Sequence, residues 1–161
     1  MLALNRDSRG VTLAELAMVL AIVGVLMALA APSFIKYLPG IRLRGDARDV
    51  ASVLRLARMR AVAERAQYGV YFDDQEIPPQ FVLFQDVDED EAFDEAEDEI
   101  AFSQELYLKT RYHQVNVTNN VAVFRGDGAS NGGWISLVLA QGSDTLVVDI
   151  LPSTGRVKVI R

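Results

Sequence analysis

Gly10-Val11-Thr12-Leu13-Ala14-Glu15-Leu16-Ala17-Met18-Val19-Leu20-Ala21-Ile22-Val23-Gly24-Val25-Leu26-Met27-Ala28-Leu29-Ala30-Ala31-Pro32 decides how the rest of the chain is read. The 21 residues from Val11 to Ala31 are almost all apolar. As a helix rising about 1.5 Å per residue they reach across a hydrocarbon core of roughly 30 Å. Arg6 and Arg9 precede the run and favour a cytoplasmic N-terminus, which puts the bulk of the chain on the far side of the membrane. Glu15 breaks the pattern. A carboxylate inside an apolar span costs a few kcal/mol at mid-bilayer and less near a helix end, so its presence demands a partner or a function.

The junction Gly10-Val11-Thr12-Leu13-Ala14-Glu15 resembles the leader junction of type IV pilins and type II secretion pseudopilins. That resemblance implies cleavage between Gly10 and Val11 by a prepilin peptidase, which then N-methylates Val11. Residues 1–10 are thus expected to be a cleavable leader, 11–32 a transmembrane and assembly helix, and 33–161 a periplasmic domain. Glu15 becomes the fifth mature residue and Pro32 the twenty-second, both in the family's register; Val11 stands where phenylalanine or methionine is commoner. The resemblance also implies partners: other pilins or pseudopilins through the helix, the peptidase, and inner-membrane lipid before assembly. A single-pass location in the inner membrane follows. Physically, a new Val11 amine and the Glu15 carboxylate of a neighbouring subunit are opposite charges whose pairing offsets their desolvation. The competing reading is a conventional signal peptide, with Ala28-Leu29-Ala30 as a small-x-small cleavage site and a soluble periplasmic product.

Pro32 and Pro39-Gly40 are expected to end or kink the helix. From Leu43 to about Gln67 the helical period returns. Leu43, Val50, Val53, Leu54, Ala57 and Ala61 fall on one face, and Arg44, Arg48, Arg55, Arg58 and Arg65 lie beside it. The period then becomes two. Strands are expected at 68–72 and 81–84 around a Pro78-Pro79 turn, with a further candidate at 121–124 after an Asn119-Asn120 turn that ranks with the weaker ones. Weaker candidates lie at 100–108 and 115–117. A closing meander spans 134–139, 145–150 and 156–160, with turns at Gln141-Gly142-Ser143-Asp144 and Pro152-Ser153-Thr154-Gly155. The expected fold is α+β and pilin-like, a long N-terminal helix packed on an antiparallel β-sheet. Phe84 with the acidic run after it, Phe124-Arg125-Gly126-Asp127-Gly128, and Ser153-Thr154-Gly155-Arg156-Val157-Lys158-Val159 resemble the GspH/FimT branch of this family.

Charge is segregated behind a net value of −6. Ten of the fourteen residues from Asp86 to Glu99 are Asp or Glu. Asp86, Asp88, Asp90, Asp94 and Glu97 match positions 1, 3, 5, 9 and 12 of an EF-hand-like spacing, a candidate Ca²⁺ set. Glu91 stands where such a loop needs glycine, and the flanks look like strands, so a solvated, partner-facing loop competes with the cation reading. At the other end, Gly155-Arg156-Val157-Lys158 with Arg161 resembles the Gly-Arg-x-Arg ending of DNA-binding FimT-like relatives, with lysine in place of the second arginine. Alternation puts Arg156 and Lys158 on one side of a strand, within reach of phosphates.

No enzyme is expected. The chain has no cysteine and a single histidine, His113. Thiolate and multi-histidine metal sites are therefore excluded, and no serine sits in a nucleophile elbow. No cofactor beyond the candidate Ca²⁺ is expected.

Overall fold

A computed structural model describes residues 11–94, 96–107, 109–140 and 144–160, with the backbone alone at 32–36. Residues 1–10, where the leader is expected, Glu95, Leu108, residues 141–143 and Arg161 lie outside the described residues. The chain divides into two compact units, Met1–Leu38 and Pro39–Arg161.

A single helix, α1 (Leu13–Glu64), runs through both prolines. The helix therefore does not end at Pro32 or at Pro39-Gly40, as the alternative of a helix end had it. Proline's fixed φ near −65° is compatible with a helix, although an interior proline removes one backbone hydrogen bond and crowds the preceding turn. α1 stops at Glu64 because Arg65 turns left-handed, with φ of 53°. The Ala66 N–H then closes back onto the Ala61 carbonyl at 3.3 Å, a Schellman-type end.

Among the described residues eight antiparallel strands follow: β1 (Gln67–Asp73), β2 (Gln80–Asp86), β3 (Glu99–Glu105), β4 (Thr110–Asn116), β5 (Val121–Phe124), β6 (Gly133–Leu139), β7 (Thr145–Leu151) and β8 (Arg156–Ile160). They form two four-stranded sheets rather than one, ordered β3-β2-β1-β5 and β4-β6-β7-β8. The division arises because β5 returns to pair with β1, whereas β4 pairs with β6. Asn119 and Asn120 adopt positive φ of 52° and 58°, as the expected turn before β5 requires.

Both sheets turn an apolar face to the second half of α1. Leu43, Ala47, Val50, Leu54, Ala57 and Ala61 are buried with Val70, Phe72, Phe81 and Phe124 of the first sheet and Ile135, Leu137, Val148 and Ile150 of the second. The alanines keep the helix surface smooth enough for close approach. Each large side chain contributes roughly 1.5–3 kcal/mol by leaving water.

The first sheet is covered on its other face too. Phe84, Val121 and Val123 form a smaller core there with Tyr71 and Phe93. Gly69 makes this possible, since a Cβ at that position would lie 2.3 Å from the Phe84 ring. β1 and β2 are thus buried along nearly continuous runs, four consecutive residues in each, where the expected period of two would bury only alternate residues, because both faces of the sheet are covered.

Candidate functional site

The first turn of α1 holds two of the residues singled out by sequence. Thr12 Oγ1 accepts the Glu15 N–H at 3.2 Å, and the Thr12 carbonyl accepts the Leu16 N–H at 3.1 Å. Thr12 is therefore the N-cap, and Thr12-x-x-Glu15 is the pattern of a capping box. This role was missed from the sequence, although its signal was present. Glu15 is exposed and sits near the positive end of the helix dipole. Around it, Leu13–Ala31 is long and apolar enough to cross a membrane, and none of it is buried by protein. Leu13, Leu16, Met18, Leu20 and Leu29 all lie exposed, so the apolar surface runs around the whole helix. Val11 is exposed, and Gly10 lies outside the described residues.

The arginine stripe and the basic ending, read separately in the sequence, share one surface. Arg44, Arg48 and Arg55 of α1 line a groove with Arg156, Val157 and Lys158 of β8. A second groove adjoins it, lined by Arg55, Arg58, Gly155 and Arg156. Arg55 Nη2 donates to the Val157 carbonyl at 3.5 Å, and Arg58 Nε donates to the Gly128 carbonyl at 3.3 Å. Gly155, at φ of 58°, is required, because a Cβ there would stand 2.6 Å from the Gly128 carbonyl oxygen. Arg156 and Lys158 are exposed while Val157 between them is buried, which is the alternation the sequence implied. Arg161 lies outside the described residues.

The acidic loop between β2 and β3 is built differently from its EF-hand-like spacing. Phe93 anchors it, stacking on Tyr71 with ring centroids 5.1 Å apart and tilting against Phe84 at 4.9 Å. Asp90 Oδ1 caps the Ala92 N–H and Asp94 Oδ1 caps the Ala96 N–H, both at 2.8 Å, so these carboxylates shape local turns. Asp86, Asp88 and Asp98 converge instead, each with an oxygen within 4.8 Å of the others. Glu97 is fully exposed beside Asp88. Its carboxyl is pushed up by the charges of Asp88 and Asp94. Asp86 is buried, and burial raises its carboxyl against the lowering effect of bonds from Gln67 and the Glu91 N–H. Arg125 pairs with Glu91, which stands where the spacing called for glycine and has φ of 62°.

A second buried acid ties α1 to the β3–β4 connection. Asp46 accepts the Tyr107 N–H at 3.3 Å and the Thr110 hydroxyl, and burial raises its carboxyl. Arg42 lies 4.7 Å over the Tyr107 ring. His113 is exposed on β4, and Asp127 caps the Ala129 N–H at 2.9 Å as a turn residue.

Residues 46–154 match the family described as type II transport protein GspH, and residues 5–31 match the prokaryotic N-terminal methylation motif. Among solved structures the chain is similar to the type IV minor pilin FimU of Pseudomonas aeruginosa strain PAO1 in two crystal forms. In one the TM-score is 0.57 at 11% identity, covering 78% of this chain and 92% of that one. In the other the TM-score is 0.55 at 12% identity, covering 73% and 92%. No curated protein gives a significant match.

Proposed function

This chain belongs to the GspH family of type II transport proteins, and from that premise we propose that it is a minor pseudopilin, or the equivalent minor pilin, that joins a periplasmic filament or tip complex. The pilin-like fold and the N-terminal methylation motif make it a membrane-anchored, single-pass subunit of the type II secretion and type IV pilus class. That family is structural and not catalytic.

The observation that carries the finer reading is Glu15 on an uncovered apolar helix. Cleavage between Gly10 and Val11 removes the charged leader and frees an amine on Val11. In the inner membrane, with the domain in the periplasm, that amine and the Glu15 carboxylate lie in a medium of low dielectric. Pairing Glu15 with the terminal amine of a neighbouring pilin satisfies both charges and fixes the axial register of the bundle. Removing one partner of such a buried pair costs about 3–5 kcal/mol. Glu15→Ala should therefore abolish co-purification with partner pilins and the secretion or piliation that depends on them, while the precursor is still inserted. Unchanged association and function in that variant would end the proposal.

A second reading rests on the groove shared by Arg44, Arg48, Arg55, Arg156 and Lys158. Cations from a helix and a strand facing one depression suit a phosphate backbone. On this reading the subunit holds DNA, with Arg161 adding charge. Retention of duplex DNA should then fall steeply with salt and be lost in Arg156→Ala plus Lys158→Ala. Equal retention by the double variant would leave the groove as a subunit contact.

A further inference from the structure

We propose that Asp86, Asp88 and Asp98 form a Ca²⁺ site that clasps the two ends of the β2–β3 loop. Asp86 closes β2, Asp88 follows it, and Asp98 immediately precedes β3. Their oxygens lie within 4.8 Å of one another. Two oxygens bound at about 2.4 Å on opposite sides of one calcium ion are separated by roughly that distance, so a single ion fits among all three.

An independent observation at Asp86 points to a cation ligand. Asp86 is only 2% exposed. Its Oδ2 accepts from Gln67 Nε2 at 2.8 Å and from the Glu91 N–H at 3.2 Å. Its Oδ1 is buried with no hydrogen-bond partner among the described residues. A buried carboxylate oxygen without a donor carries its full desolvation penalty. The groups gathered around it are further carboxylates, which cannot supply a proton while ionised. Arg125 is paired with Glu91. An ion bound by the three carboxylates would give the buried Asp86 group a positive partner and cancel the repulsion of the three acids at once.

The donor set is all oxygen, which selects a hard cation over a transition metal. Asp86 is fixed by two hydrogen bonds while Asp88 is exposed on the loop. That mixture of rigid and adaptable ligands suits the irregular, water-completed shell of Ca²⁺ better than the strict octahedron of Mg²⁺. The ligand set also differs from the sequence spacing. Asp90 and Asp94 are spent on backbone caps, and Asp98, absent from the spacing, takes a ligand place. Bound calcium would hold the loop closed and keep Phe93 on Tyr71 and Phe84.

The test uses the full chain in detergent, stripped of divalent ions and then titrated with CaCl₂ or MgCl₂. Bound calcium is counted by equilibrium dialysis, and loop order is read by limited proteolysis between β2 and β3. One calcium per chain is expected, with a Kd in the range of about 10⁻⁴–10⁻³ M, and with slower cleavage and a higher Tm. Magnesium at equal concentration should do less. Asp88→Asn keeps an acceptor for the Asp90 N–H and should still fold, yet lose at least about tenfold in calcium affinity. Asp98→Asn should lose as much, and Asp94→Asn should bind within about twofold of the parent. No bound calcium at about 5 mM, well above that range, overturns the proposal. So does parental affinity in both Asp88→Asn and Asp98→Asn. A loss confined to Asp94→Asn overturns this ligand set in favour of the EF-hand-like spacing.

Discussion

The two halves of α1 are one helix with opposite relations to water. From Leu13 to Ala31 every residue is exposed and nearly every one is apolar. From Leu43 to Ala61 most apolar residues keep to one face and are at most 5% exposed, with charged and polar residues between them; Leu56 and Met59 are the exposed exceptions. The second half meets its requirement inside its own chain, against two sheets. The first half has no such partner among the described residues, so lipid and other helices are its natural cover. Folding and assembly are thereby carried by separate stretches of one element. On the proposed reading Glu15 marks the stretch that assembles, as Ala57 marks the one that folds.

The sharpest way to break this comparison is to place one new charge in each half. Ala57 is fully buried between helix and sheets. Ala57→Asp should destabilise the domain by about 4 kcal/mol or more and unfold it. Ala21→Asp should leave the domain's denaturant midpoint within about 0.5 kcal/mol of the parent in detergent while impairing membrane insertion. Equal loss of domain stability in both variants would show that the halves are not separable.

A smaller effect is expected at Asp46. Asp46→Ala leaves the Tyr107 N–H and the Thr110 hydroxyl without their acceptor and should cost about 1–3 kcal/mol in chemical denaturation. The pH dependence is smaller again. Burial is the largest influence on Asp46, outweighing the Thr110 and Tyr107 bonds, so its folded pKa lies above the ordinary aspartate value. The folded state then holds more protons than the unfolded state, and stability falls as pH rises from near 3.8 through the folded pKa. Compared with the parent, Asp46→Asn should flatten that fall across the same window, a difference readable in Tm against pH. A steeper fall in the variant would reverse the assignment.

Much of this was legible beforehand where a local period or a turn residue decides the structure. The Leu43–Ala61 face, the strands around Pro78-Pro79 and the closing meander all follow from spacing, and the fold is α+β as expected. What escaped was non-local. The split into two sheets depends on which strands pair across long loops, and β4, read only at 115–117, is a polar edge strand with little alternation to show. Pro32 and Pro39-Gly40 looked like breakers because local chemistry says so, yet the helix continues through both. The acidic loop illustrates the same limit at a site. Its spacing pointed to Asp90 and Asp94, but folding brings Asp98 back to Asp86 and uses Phe93 as the anchor.

The assembly reading is tested most directly by the mass of the N-terminal peptide of the chain recovered from membranes of cells that express the full secretion or pilus machinery. A first residue of N-methylated Val11, with residues 1–10 gone, is the expected result. A peptide still beginning at Met1, or one beginning near Ala31 as a conventional signal peptide would leave it, would contradict it.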